Sequence, residues 1–339
     1  MTLAVRQPLF AGLRFDATRA AIVQAEIESD IADVGLRQER AATLAHLRQA
    51  YWQLVFAIDT LATARQSESL AQRQLDENRR RVDLGTVAAI DIVEAEAEVA
   101  ARHQAVVQAE GTSRTAQIAL KELMVADATD PIWSASIVPS DRPEVGSRPI
   151  DVPAAIARAV ANRSDAQIAR KERDAATTSI RLLNEQTKPG VDLVAEYTTS
   201  SALQSTVSPA SPSWRVGVNV TLPIGNTAAQ ASLARAQVQQ RQVGVQLQAL
   251  EVTIAAQVTR IAEQVRTAEE QIKAAAAARE LAQRRLAAEE ARRAAGLSTN
   301  FLVLQAQRDL ATAQTNELRA ALDHRTALVQ FDLVQESPA

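Results

Sequence analysis

The sequence predicts a mainly α fold with a small β part, organised as two copies of a long helical hairpin. Three observations carry that prediction. First, the stretch Arg81–Glu96 recurs without a gap 211 residues later as Arg292–Gln307. Gly85 then falls on Gly296, Ile92-Val93 on Val303-Leu304, Ala95 on Ala306 and Val99 on Leu310. Each glycine interrupts two helical patterns, as it does where a helix ends in the left-handed conformation that only glycine adopts without steric cost. Each copy therefore reads as the tip of a hairpin, in a tandem duplication with repeats at 1–150 and 151–339. Second, Leu247, Leu250, Ile254, Val258, Ile261, Val265, Ala268 and Ile272 step by threes and fours, the spacing of a left-handed supercoil. Third, residues 191–222 switch to a period of two.

Composition agrees. Apolar residues make up 47% of the 339 residues but aromatics only 3%. A large globular core draws much of its buried area from aromatics, whereas a chain rich in Ala, Glu, Gln and Arg suits long coiled-coil helices with close axes. The formal charge of −3 offers no basic field, so nucleic acid is not an expected partner. With no cysteine there are no disulfides, thiolate metal sites or cysteine nucleophile. No apolar run of 18 residues marks a transmembrane helix, and Met1–Pro8 has no signal-peptide core or cleavage site.

Taken in order, Leu3, Val5 and Leu9 alternate with polar residues as at the end of a strand. A helical pattern then runs from Phe15 to Leu84, about 100 Å at the helical rise. Its seam reads Leu44, Leu47, Tyr51, Val55 or Leu54, Ile58 and Leu61. After the first tip a second helix extends to about Ala126 with the mostly small face Ala95, Val99, Val106, Ala109 and Ile118. Residues 127–150, with Pro131, Pro139, Pro143, Gly146 and Pro149, form a connector expected to be pinned by Trp133 and Ile137. Asp151, with Pro153 two residues on, caps a helix running to about Gln186.

Val191, Leu193, Ala195 and Tyr197 alternate with Asp192, Val194 and Glu196, as do Trp214, Val216, Val218, Val220 and Leu222 with Arg215, Gly217, Asn219 and Thr221, around a Ser/Thr/Pro loop from Thr198 to Ser213. Two strands with one apolar face fit either a membrane β-barrel hairpin or a half-buried hairpin on a soluble core. Another helix of about 70 residues then leads to the Gly296 tip, followed by a helix to about Val334.

The duplicated tips, Leu84-Gly85-Thr86 with Asp91-Ile92-Val93 and Ala295-Gly296-Leu297 with Leu302-Val303-Leu304, resemble those of the TolC-type outer-membrane efflux channel proteins. The strand-to-helix motifs Gln7-Pro8-Leu9-Phe10 and Leu222-Pro223-Ile224-Gly225, and Tyr51-Trp52-Gln53-Leu54, add to the resemblance, which covers nearly the whole chain. It implies a homotrimer with transmembrane β-barrel strands in outer-membrane lipid and a coiled-coil α-barrel in the periplasm. It further implies a passive conduit for efflux or type I secretion, working with a periplasmic adaptor protein and an inner-membrane pump, without cofactor, metal or bond chemistry. The membrane strands would present Val191, Leu193, Tyr197, Trp214, Val216, Val218 and Val220. The adaptor would meet the tips at Leu84, Gly85, Thr86, Ile92, Val93, Ala295, Gly296, Leu297, Ser298, Val303 and Leu304.

The family's acidic constriction lies six and nine residues after the second tip glycine; those positions here are Leu302 and Gln305. The first-tip equivalents are Asp91 and Glu94, which would supply the negative lining. The tyrosine and arginine that latch the closed state in the family are replaced by Arg293 and Ser298. Family members also begin with a signal peptide, a short helix and a first strand. The second repeat has the helix and strand within 151–222, but the first begins at Met1, aligned with Val216. The sequence is therefore expected to lack an N-terminal segment, leaving about three strands per copy and open backbone edges in a trimer, each edge group costing several kcal/mol in lipid.

Other residues have plainer readings. His46, His103 and His324 are scattered and form no ligand pattern. The run Asp91, Glu94, Glu96 and Glu98 is either a solvated helix start favourable to the dipole or, for Asp91 and Glu94, a pore lining. The basic cluster Arg79-Arg80-Arg81, with Arg284-Arg285 and Arg292-Arg293, suits helix C-termini, with adaptor contact as a second reading. Gly12 and Gly225 permit a strand-to-helix bend. The competing readings are a soluble coiled-coil scaffold, which leaves the strands at 191–222 without a use, and a non-functional truncated relative of the family.

Overall fold

In a computed structural model, residues 2–86, 88–141, 149–199, 212–222 and 225–335 are described. The elements are β1 (Thr2–Pro8), α1 (Ala17–Asp83), α2 (Ile90–Met124), a 3-10 turn (Pro131–Trp133), α3 (Val152–Asn162), α4 (Ser164–Gln186), β2 (Gly190–Thr199), β3 (Pro212–Thr221), α5 (Thr227–Ala294) and α6 (Asn300–Val334). Pro143 and Gly146 of the connector, Pro223 and Ile224 of the second strand-to-helix motif, and most of the loop expected between the strands lie outside the described residues. The chain divides into two compact units, residues 1–38 with 160–254 and residues 39–159 with 255–339, so each unit takes sequence from both repeats.

The first unit contains the sheet, antiparallel in the order β1-β2-β3. Register fixes what each face carries, because successive residues point to opposite sides. Tyr197 lies between Leu3 and Trp214, Ala195 between Val5 and Val216, and Leu193 between Gln7 and Val218, with Val191 opposite Val220. The other face carries charge: Arg6 pairs with Asp192, and Arg215 with Glu196 directly opposite at 3.5 Å. In the same unit, α4 is tied to α1 by Lys171–Asp30 and Arg37–Gln167, and to α5 by Gln240–Thr177. The Arg181 guanidinium stacks on Phe15, 4.3 Å from the ring centre.

The second unit is built from helices whose shared core is aliphatic and small. Leu54, Val55, Ala57, Ala71 and Leu75 of α1 are buried, as are Ala95, Val106, Ala109 and Leu120 of α2. From α5 come Val258, Ala262, Val265, Ala268 and Ile272, and from α6 Ala320, Leu322, Ala327, Val329 and Phe331. Alanine at so many contact positions lets helix axes come close. Cation–π contacts Arg319–Phe56 and Arg325–Trp52 join α6 to α1.

The expected seams need correction in places. The α5 seam holds, with Leu250 and Ile261 half-buried and the rest buried, but Ala262 is a core residue that the spacing omitted. In α1, Leu44 is exposed and Ala45 takes its place; Leu47, Tyr51, Ile58 and Leu61 are only half-buried. In α2, Ile118 is exposed and Leu120 is buried. A neighbouring residue on the helix is 100° away, so a one- or two-residue error moves a side chain off the core. The helix expected over 151–186 is two helices, broken at Arg163, which has extended backbone and clamps Asp165 through Nε and Nη2. The connector is pinned mainly through main-chain carbonyls: Lys121 donates to Trp133 O and Gln117 to Ile137 O, while the Trp133 ring remains partly exposed.

Candidate functional site

Both hairpin tips close in the same way. At the first, Gly85 has φ +71°, its N–H donates to Val82 O and that of Thr86 donates to Arg81 O. At the second, Gly296 has φ +74°, its N–H donates to Arg293 O and that of Leu297 donates to Arg292 O. This pair of bonds, closing over a left-handed residue, is the Schellman termination, which satisfies carbonyls a helix end leaves free. Arg80, Arg81, Arg292 and Arg293 occupy the last turns, where positive charge is favoured. Gly12 (φ +81°) and Gly225 (φ +73°) are likewise left-handed, at the two strand-to-helix bends.

The tip residues expected to meet a partner divide by burial. Leu84 is 77% exposed and Leu297 79%, and Val93 also faces outward, as do Thr86, Gly85, Ala295 and Gly296. Ile92 and Ser298 are half-buried; Ser298 Oγ donates to Glu289. Val303 and Leu304 are different: they are buried at 0% and 4%, with Val303 in a cluster with Leu286 and Ala306. Val303 thus ties the second hairpin together, and neither residue presents a surface. Phe301, which the sequence reading did not select, is exposed beside Leu302.

Of the constriction candidates, Glu94 and Leu302 are exposed and Asp91 and Gln305 half-buried. Gln305 Nε2 donates to Asp309 at 2.8 Å, and Asp309 pairs with Arg285. Behind the tips lies a polar network that the sequence reading missed. Buried Gln74 of α1 donates to Asn78 and to Asn300 of α6. Buried Asn78 donates to the Asp91 carbonyl. Arg293 of α5 reaches Glu77 of α1 at 3.3 Å and Asn300 at 3.4 Å. Arg293 Nε and Asn300 Nδ2 are buried donors without a partner among the described residues.

Glu98 of α2 lies buried farther from the tip. It accepts from Arg102 of its own helix at 2.7 Å and from Nε and Nη2 of Arg308 of α6 at 2.9 and 2.5 Å. Burial pushes its carboxyl up, but hydrogen bonds and charge from Arg308 and Arg102 together outweigh that, leaving it below the usual range. Its position carried the signal: with Ala95, Arg102, Val106 and Ala109 it follows the helical stripe facing the core.

The sheet places Val191, Leu193, Tyr197, Trp214, Val216, Val218 and Val220 on a single face. Val216, Val218, Val220 and Trp214 are exposed, Trp214 at 78%, while Val191 is half-buried. No described helix is long and apolar enough to cross a membrane, and the described residues contain no group of side chains fit to hold a metal ion.

A family model described as outer membrane efflux protein matches residues 1–125 and 155–334. The fold is similar to a membrane protein from Pseudomonas aeruginosa (TM-score 0.78, 19% identity, 99% of this chain and 82% of that one). It is also similar to the outer membrane protein VceC from Vibrio cholerae (0.76, 16%, 99% and 86%). A third likeness is to the open state of the MtrE outer membrane channel of Neisseria gonorrhoeae (0.75, 17%, 99% and 79%). A search of curated proteins found no match.

Proposed function

The chain belongs to the outer membrane efflux protein family, and from that membership we propose that it is the outer-membrane conduit of a tripartite efflux or type I secretion assembly. The observation that carries this reading is the two-sided sheet, with an exposed apolar face and an opposite face of paired charges. Soluble proteins rarely leave so large a contiguous apolar surface uncovered, whereas a membrane barrel needs lipid outside and water inside. Trp214 to Val220 runs about 20 Å along the strand, or about 15 Å of height at the tilt of barrel strands, more than half of the roughly 25 Å apolar band of an outer-membrane barrel.

Three copies would bring their sheets together in the outer membrane and their helical hairpins together as a periplasmic α-barrel. Among the described residues β1 and β3 are unpaired on their outer sides, and those edges and the two orphan donors near the tips support association with further copies. The exposed tip residues, Leu84, Thr86, Val93, Leu297 and Phe301 among them, form the surface for a periplasmic adaptor carrying cargo from an inner-membrane pump. Asp91 and Glu94, with Leu302 and Gln305, line the narrowest passage. No bond is made or broken; the chain's residues supply a water-filled path and a means of closing it.

Purified protein in planar lipid bilayers tests the reading. Stepwise conductance from a crosslinkable trimer is expected. A monomer that stays in the aqueous phase and never conducts would favour the soluble scaffold and remove the conduit.

A further inference from the structure

The turn between β1 and α1 has an apolar surface that the sheet does not account for. Leu9 continues the alternation of Leu3 and Val5, and its N–H extends the ladder by donating to Val191 O at 2.7 Å. Leu9, Phe10 and Leu13 are all exposed, Phe10 at 55%. Leu13 N–H donates to Phe10 O across Ala11-Gly12, and Gly12 has φ +81°. A turn with a left-handed third residue brings its first and fourth residues together, so Phe10 and Leu13 are neighbours. On the β3 side, exposed Leu222 follows Val220 in the same alternation.

The turn is fixed in place rather than loose. Arg19 Nη1 donates to Leu13 O at 2.9 Å, and Asp16 caps α1 through the Arg19 N–H. The Gly12 N–H donates to Glu185, which Lys188 also holds at 2.6 Å. Arg19 and Lys188 thus lie beside the turn with the carboxylates Asp16 and Glu185, while Arg14 follows Leu13 in sequence and Arg181 stacks on Phe15.

We propose that Leu9, Phe10 and Leu13 form an interfacial anchor on the lipid bilayer. Their side chains enter the boundary between headgroups and acyl chains, and the cations meet lipid phosphates. The occupant follows from continuity with the apolar sheet face and from charge: the apolar group extends the band beyond Val191 and Val220, and basic groups flank it where a membrane presents anions. A rigid anchor at the end of the strands would set how deep the sheet sits. This inference rests on the membrane reading of the sheet.

The chain has no cysteine, so single-cysteine variants give clean probes. Phe10→Cys, Leu13→Cys, Val216→Cys and Gln242→Cys of the full chain, labelled with a polarity-sensitive fluorophore, are reconstituted in phosphatidylethanolamine–phosphatidylglycerol vesicles. The vesicles contain lipids spin-labelled at the headgroup or deep in the acyl chain. For Phe10 and Leu13, headgroup-level lipid is expected to quench about twofold more than deep lipid, as for groups lying 5–10 Å into the boundary. Val216 should show the reverse, and Gln242 should respond to neither. If Val216 is quenched from depth while Phe10 and Leu13 are untouched or quenched mainly from depth, the anchor is overturned and the membrane sheet stands. If Val216 is not quenched at all, both fall.

Discussion

The same substitution should have opposite effects at two glycines of α5 and its tip. Gly296 has φ +74°, whereas Gly244 lies inside α5, and a Cβ added at either would meet no atom within 4 Å. Packing therefore drops out, and only backbone conformation remains. Alanine in the left-handed region costs about 1–2 kcal/mol. In mid-helix, alanine is favoured over glycine by about 0.5–1 kcal/mol. Gly296→Ala and Gly244→Ala should thus differ by about 1.5–3 kcal/mol, from the sum of the two effects. At about 2 °C per kcal/mol, the lower value for larger domains, their melting temperatures should be about 3–6 °C apart, on either side of the parent. Thermal unfolding followed by far-ultraviolet circular dichroism measures this. Gly296→Asn, a residue that tolerates the left-handed region, should recover much of the loss. A Gly296→Ala protein as stable as Gly244→Ala would refute the account of the tip as a Schellman termination.

Three further outcomes follow from individual contacts. Arg293→Ala removes the links from α5 to Glu77 and Asn300; at about 1.4 kcal/mol, amide hydrogen exchange around 74–81 and 293–300 should speed up about tenfold, and unchanged exchange would make the network incidental. Glu98→Gln should destabilise by about 3 kcal/mol, the low end for a broken buried pair because Arg308 is half exposed. Since the Glu98 carboxyl is held below its usual value, its contribution is present above the ordinary carboxylate range and is lost as pH falls through the depressed value. Urea unfolding should accordingly show less acid sensitivity in Glu98→Gln than in the parent, and equal sensitivity would refute the assignment.

Much of this architecture is legible in the sequence because a few residues do jobs that no other type does. Gly85 and Gly296 mark the tips because the left-handed conformation singles out glycine, and the isoleucines and valines of α5 mark the seam by spacing alone. Alanine obscures the rest: Ala45, Ala57, Ala71 and Ala262 are core, yet alanine is equally common on helix surfaces, so hydropathy passes to Leu44 and Ile118, which face outward. The polar cross-links at Gln74, Asn78 and Glu98 escape for a related reason. A reading that looks for apolar stripes treats a glutamate on such a stripe as an error, although its place beside Ala95 and Val106 is what buries it. The break at Arg163 has neither glycine nor proline to announce it.

The period of two predicts which faces the sheet has, but register is what makes them face-specific, and that supplies the sharpest remaining test. Val218 and Asn219 are adjacent in β3 and point to opposite sides, Val218 level with Leu193 and Asn219 with Asp192. Both residues are exposed, so neither substitution meets a packed core. In a soluble sheet, Val218→Arg and Asn219→Arg should both lie within about 0.5 kcal/mol of the parent. In a lipid-facing sheet, an arginine replacing Val218 near mid-band costs about 2–4 kcal/mol per copy, while one replacing Asn219 joins a watery face that already carries Arg6 and Arg215. Vesicle reconstitution yield for the two variants separates these cases. Loss for Val218→Arg with retention for Asn219→Arg places lipid on the valine side; equal yields would remove the lipid-facing assignment, whatever the fold.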